Sequence, residues 1–251
     1  MAAEYKIYPL EVGYFPDQDQ SKITYLKGAG VKAYAPCLVF VVRGCGLTFL
    51  VDTGVPDPEY SEKYFHTVIQ TEEMKLPNAL ARLGLTPADM DFVVCTHLHW
   101  DHTFNNALFH GKKMYVQKKE IEFALDPWPI FRHAYEHYKC GLSPHWAESL
   151  ADFEYVDGDT ELAPGIKLIS IPGHSPGSQG VLVDTADGSY LIAGDAIPAY
   201  VNWETPGHQM IGVFSSMRQQ LETFKKLDAI EGLKVLPGHD KRVLEHDVYP
   251  F

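Results

Sequence analysis

The chain has 251 residues, 45% of them apolar and 12% aromatic, enough to build a core without disulfide staples and unlike a disordered or fibrous chain. Lys and Arg number 21 against 33 Asp and Glu, a formal net charge of −12 that argues against a nucleic-acid partner. No run reaches the roughly 18 apolar residues of a membrane span, and the first residues lack the regions of an export signal, so a soluble, cytoplasmic chain with reduced cysteines is expected.

Runs 37–43 and 47–54 are rich in β-branched and aromatic residues and flank Gly44-Cys45-Gly46, which predicts an antiparallel hairpin. A helical pattern over 76–85 stops at a glycine, and strands are expected over 91–97 and 113–117. Cys95, inside the apolar run Phe92-Val93-Val94, reads as a core residue. Residues 118–154 carry Trp128, Phe131, Tyr135, Tyr138, Trp146 and Phe153 among prolines and histidines without a strand pattern. They read either as a helical lid or as an insertion packed on the core, within a single domain spanning 1–251. Strands follow over 166–174, 179–185, 190–195 and 233–240, the middle two forming a second hairpin around Asp187-Gly188. Met217, Leu221, Phe224 and Leu227 recur at helical spacing behind the capping candidates Ser215 and Ser216, so that helix should lay one apolar face on a sheet.

The string Thr96-His97-Leu98-His99-Trp100-Asp101-His102 puts four potential metal ligands into six residues directly after an apolar strand. Histidines spaced i, i+2 project together as a chain leaves a strand, and the following Asp-His pair can face a second point nearby. Imidazole and carboxylate suit zinc and also iron, cobalt or manganese. His174, Asp195 and His239 each follow an apolar strand and a glycine, so strand ends can bring them to the same sheet edge. The remaining histidines, His66, His110, His133, His137, His145, His208 and His246, lack such a setting and read as ordinary core or surface residues.

The early Phe49-Leu50-Val51-Asp52-Thr53-Gly54, the His-rich string, Pro172-Gly173-His174-Ser175-Pro176-Gly177, Gly194-Asp195-Ala196 and Pro237-Gly238-His239-Asp240 together resemble the metallo-β-lactamase-fold hydrolases. Within that superfamily the chain is most similar to the N-acyl homoserine lactonase group. The resemblance implies an α/β fold, an αβ/βα sandwich of two mixed sheets with helices on the outer faces. It implies a dinuclear site in which His97, His99 and His174 hold one divalent ion, Asp101, His102 and His239 hold the other, and Asp195 bridges them. Zinc is the first choice of metal. Asp52 would orient a ligand rather than touch metal. The implied reaction is opening of a lactone by metal-activated hydroxide, with Asp101 passing a proton to the leaving alkoxide.

One position departs from the pattern. Pro198 stands where the lactonases place a tyrosine, and Tyr200 either replaces that hydroxyl as a catalytic group or lines the pocket. A glyoxalase II-like thioesterase and a hydrolase of another small ester, cyclic amide or phosphodiester share the ligand set. About a dozen residues follow His239, short of the helical domain expected for the thioesterase. A metal-binding sensor module is the non-enzymatic alternative. The expected partner is a small-molecule substrate, with neither nucleic acid nor membrane, and a homodimer is among the options for assembly.

Overall fold

A computed structural model describes residues 4–251. In chain order the strands are β1 (Tyr5–Asp19), β2 (Lys32–Gly44), β3 (Leu47–Val51), β4 (Phe92–Val94), β5 (Lys113–Gln117), β6 (Phe153–Val156), β7 (Thr160–Ala163), β8 (Ile166–Ser170), β9 (Gln179–Thr185), β10 (Gly188–Ile192) and β11 (Lys234–Leu236). The helices are α1 (Pro58–Tyr64), α2 (Leu76–Ala81), α3 (Trp100–Thr103), α4 (Lys118–Leu125), α5 (Tyr200–Glu204) and α6 (Met217–Asp228). One mixed sheet runs β1-β2-β3-β4-β5-β6 and the other β11-β10-β9-β8-β7.

Period-two alternation builds the layers. In β2, Leu38, Phe40 and Val42 enter the core between the sheets with Ile166, Leu168, Val181 and Ile192 of the second sheet. Cys37, Val39 and Val41 point the other way, into the layer where α2 covers the first sheet. The second sheet repeats this: Tyr190 and Ile192 face the shared core, while Leu191 joins Phe224 and Leu227 of α6 on the outer face. The result is the αβ/βα sandwich expected from the resemblance. Cys95 is fully buried, in the core of the first sheet's outer layer.

Both predicted hairpins form. Cys45 and Gly46 join β2 to β3 with φ of 50° and 81°, the left-handed pair a tight two-residue turn requires. The second turn is Ala186-Asp187, with Gly188 already paired to Thr185 in the ladder. The strand β1 had no counterpart in the sequence reading because Pro9, Gly13 and Pro16 interrupt it. It pairs with β2 alone, as an edge strand with register shifts after Glu11 and Phe15, a setting that tolerates missing N–H donors. Ile7 and Tyr249 exchange two 2.8 Å backbone hydrogen bonds beside it. The short β6 and β7 were likewise unpredicted.

The helix predicted behind Ser216 is present, and the Ser216 side chain accepts from the Gln219 amide. Its buried face differs from the expected one: Met217 and Leu221 are 37% and 48% exposed, whereas Gln220 and Thr223 are buried with Phe224 and Leu227. Gln220 Nε2 donates to the Ala196 carbonyl (2.8 Å) and Thr223 Oγ1 to the Pro172 carbonyl (2.7 Å), so hydrogen bonds to the site loops replace apolar contacts. Within 118–154, Ile121, Ala124, Tyr135, Trp146 and Phe153 are buried in the outer layer of the first sheet. Ile130, Phe131 and Ala134 of the same segment line the cleft above the sheet edge.

Candidate metal centre

The strands stop short of the ligands that the sequence placed at their ends. β4 ends at Val94, β8 at Ser170, β10 at Ile192 and β11 at Leu236, so His97, His174 and His239 sit on the loops that follow and Asp195 in a single 3-10 turn, Gly194–Ala196. These loops emerge from both sheets at one edge. Two glycines let them approach. Gly194 has φ of 50°, and a Cβ there would lie 2.8 Å from Thr96 Oγ1; at Gly238 it would lie 2.8 Å from the Gly194 carbonyl. Asp101 and His102 occupy the short helix α3, which begins directly after His99.

Seven of the sequence-predicted residues converge. Ligand atoms of His97, His99 and His174 lie within 4.8 Å of one another, as do those of His97, His102 and Asp195 and those of Asp101, His102 and His239. Asp195 sits between the groups: its Oδ1 is 3.2 Å from His102 Nε2 and 3.0 Å from His239 Nε2, and its Oδ2 is 3.5 Å from His174 Nε2. Asp101 Oδ2 lies 3.9 Å from both His102 Nε2 and His239 Nε2. His99 turns Nδ1 to within 3.0 Å of His174 Nε2. The other histidines stay out of this cluster; His110, His145 and His208, for example, face Asp152, Glu136 and Asp228.

The ligand rings are fixed from behind. Asp52, buried and with φ of 61°, accepts from the Thr96 amide (2.7 Å), the Thr96 hydroxyl (2.7 Å) and His102 Nδ1 (2.8 Å). Thr96 Oγ1 in turn lies 3.1 Å from His97 Nδ1. His174 Nδ1 donates to the Val213 carbonyl (2.9 Å) and His239 Nδ1 to the Pro36 carbonyl (2.8 Å). With Nδ1 protonated on His97, His102, His174 and His239, their Nε2 lone pairs face inward, the tautomer that binds metal.

Glu120 has no counterpart in the sequence reading. This fully buried carboxylate accepts from the Leu98 amide (3.0 Å) and Tyr135 hydroxyl (2.7 Å) through Oε1, and from Ser175 Oγ (2.6 Å) and the Gly177 amide (3.1 Å) through Oε2. It therefore ties the His97–His99 loop to the His174 loop, while Tyr135 meets the His99 ring edge to face at 4.7 Å. A Cβ on Gly177 would come within 2.2 Å of the Glu120 backbone nitrogen, so the tie requires glycine there.

Electrostatics divide the cluster. Burial, then the neighbouring imidazoles, hold His97 and His99 well below the ordinary histidine range. Burial also opposes charge on His102 and His239, but Asp195 outweighs it, with Asp101 and Asp52 adding to its effect at His102, and raises both well above that range. Burial likewise opposes the Asp195 charge; His239, His102 and His174 override it and hold the carboxyl well below the usual range. His97 Nε2, His102 Nε2 and Asp195 Oδ1 are buried in the cluster without a hydrogen-bond partner. Such orphans are costly, and a divalent cation is the group that accepts inward-facing imidazole nitrogens and a carboxylate together. The residues present fit two such ions.

Tyr200, for which the sequence left open a hydroxyl at the bound carbonyl or a place in the pocket wall, is not among the residues that line the cleft. The His239 amide donates to the Pro198 carbonyl (2.8 Å) and the Tyr200 amide to Asp240 Oδ2 (2.9 Å), stapling this stretch to the His239 loop. The α5 turn then packs the Tyr200 ring against the core between the sheets, with the Arg242 guanidinium 4.0 Å from its centroid. Pro198, by contrast, lines a cleft of about 550 Å³ whose wall includes His99, Asp101, His174, Asp195 and His239. Tyr200→Phe should leave kcat within about twofold, against the roughly 10²–10³-fold that loss of an oxyanion donor costs. Steady-state rates of the metal-loaded variant check this.

Comparison with known proteins agrees with this geometry. The metallo-beta-lactamase superfamily profile matches residues 35–239. An N-acyl homoserine lactonase from Bacillus thuringiensis is 32% identical over 205 residues, covering 76% of each chain. A structure of B. thuringiensis AiiA with N-decanoyl-L-homoserine bound at the active site superposes with a TM-score of 0.79 at 26% identity, covering 100% of this chain and 99% of that one. An N-acyl homoserine lactone hydrolase with the product N-hexanoyl-L-homoserine at its catalytic metal center gives a TM-score of 0.79 at 25% identity, again covering 100% and 99%.

Proposed function

Because the chain belongs to the metallo-beta-lactamase superfamily, we propose that it is a two-metal hydrolase that opens a lactone of the N-acyl homoserine lactone kind or another small cyclic ester. The observation that carries this reading is the Asp195 carboxylate set between two triads of ligand atoms on the floor of an apolar-walled cleft. His97, His99 and His174 would hold one ion, Asp101, His102 and His239 the other, and Asp195 both; zinc suits this nitrogen and oxygen set. Bound ions would bring the pKa of water toward about 7 and polarise an ester carbonyl.

The chain's own groups supply the rest. Phe15, Trp100, Ile211 and Phe214 line the cleft and shield the reacting ester from bulk water. Asp101 is on the cleft wall and partly exposed, so its carboxylate is placed to take a proton from the attacking water and pass it to the alkoxide released when the ring C–O bond breaks. The second oxygen of the new carboxylate comes from water, and one proton is released per ring opened at neutral pH.

The test is proton release by the zinc-loaded protein on acyl homoserine lactones, simple γ- and δ-lactones, thioesters and phosphodiesters. Release confined to lactones, and absent from the chelator-stripped protein, is expected. Release from thioesters or phosphodiesters alone would overturn the substrate class.

A further inference from the structure

Resting on the lactone reading, we propose that the preferred substrate carries a carboxylate beside its ring and that Lys22, with His66 and Gln18, forms the subsite that receives it. All three line the same cleft as the metal-ligand cluster. Lys22 ends a single 3-10 turn, Gln20–Lys22, that follows β1. Among the described residues it is the one Lys or Arg on the cleft wall, which beyond the ligands, Gln18 and His66 is mainly aromatic and aliphatic.

Lys22 Nζ lies 2.9 Å from His66 Nε2. An ammonium has only protons to offer, so His66 Nε2 accepts and its own proton sits on Nδ1. The pair thus holds a single positive charge. His66 keeps an exposed face; partial burial first, and the Lys22 charge second, hold it below the ordinary histidine range, which agrees with a neutral ring.

That charge has no carboxylate in direct contact, although Asp19, Asp101 and Asp17 act on it from farther away. Among the described residues no ion pair involves Lys22, whereas neighbouring Lys32 is 3.7 Å from Asp19 Oδ2. Lys22, His66 and Gln18 also line an adjoining recess of about 280 Å³ with Asp17, Asp19, Glu62 and Lys32, but none of those three carboxylates is on the cleft wall or within ion-pair distance of Lys22. Asp101 faces His102 and His239. A half-buried ammonium without a counterion is unfavourable, and a substrate with only an apolar chain at this point would bury it further. A carboxylate supplies a charge-assisted acceptor for the ammonium, and Gln18 can donate from beside it.

The experiment uses γ-butyrolactone bearing a carboxylate on the ring carbon next to the ring oxygen, and the matching primary carboxamide as its neutral counterpart. For the zinc-loaded full chain, kcat/KM should favour the carboxylate by about 10- to 100-fold, the scale of one charge-assisted hydrogen bond. Lys22→Met should bring the ratio to within about threefold of unity, and Lys22→Arg should keep most of it. No preference in the wild type, or a preference that survives Lys22→Met, overturns the subsite. If neither lactone is opened, the lactone reading is decided by the wider lactone panel, and the unconsumed carboxylate probe is titrated calorimetrically. A Kd about tenfold or more weaker in Lys22→Met then supports the subsite, and an equal Kd overturns it.

Discussion

Asp195→Asn loses bound metal and hydrolysis together while the chain stays folded. The substitution keeps the shape of the side chain, but the amide offers one oxygen where the carboxylate turns Oδ1 to His102 and His239 and Oδ2 to His174. It also removes negative charge from a pocket of buried imidazoles. Two cations held next to each other repel, and the carboxylate between them is the group that offsets this. Zinc content should therefore fall below two ions per chain. Turnover of a γ-lactone should drop by at least the about 10²–10³-fold that loss of one preorganised electrostatic partner costs. Metal analysis after gel filtration, alongside circular dichroism, checks both; full metal content with near-normal turnover would remove Asp195 from the bridging position.

Asp52→Asn should weaken zinc binding without touching a ligand. Asp52 accepts three hydrogen bonds, from the Thr96 amide and hydroxyl and from His102 Nδ1, and an asparagine side chain presents an N–H₂ to one of those donors. A donor facing a donor in a buried site turns the His102 ring or strips its Nδ1 proton, and His97 loses its hold through Thr96. Loss of such an outer partner costs about 10–100-fold in metal affinity, and a buried unsatisfied group about 1–3 kcal/mol of stability. Competition with a chromogenic chelator measures the first effect and thermal unfolding the second. Because Asp52 is not a ligand, saturating zinc should restore much of the activity, which separates it from Asp195.

The convergence of histidines and aspartates was legible because local chemistry wrote it into the chain. Four potential ligands, three histidines and an aspartate, in the six residues from His97 to His102 have few other uses, and a glycine before each of His174, Asp195 and His239 marks a loop that must approach closely. The layers were legible for a similar reason, since alternation in β2, β9 and β10 divides their side chains between two cores. Strand ends were overextended because the ligand loops continue the apolar character of the strands. The edge strand β1 was hidden by its prolines, which only its single neighbour makes acceptable.

The place of Tyr200 stayed open for a three-dimensional reason: the hydrogen bonds from the His239 amide to the Pro198 carbonyl and from the Tyr200 amide to the Asp240 carboxylate set that stretch, and neither leaves a mark in sequence. Glu120 and Lys22 sit in no motif. A buried glutamate in the first turn of α4 looks like any solvated helix charge until its four donors are seen, and Lys22 stands out only once the rest of the cleft proves to lack a Lys or Arg.

The most direct test of the central claim is to strip the protein with a chelator, add zinc stepwise, and follow proton release from a γ-lactone against zinc bound per chain. Two tight equivalents with turnover that requires them, and a ring-opened hydroxy acid as the sole product, are the predicted result. Lactone opening that persists in the stripped protein, or two bound zinc ions with no opening of any lactone, would contradict it.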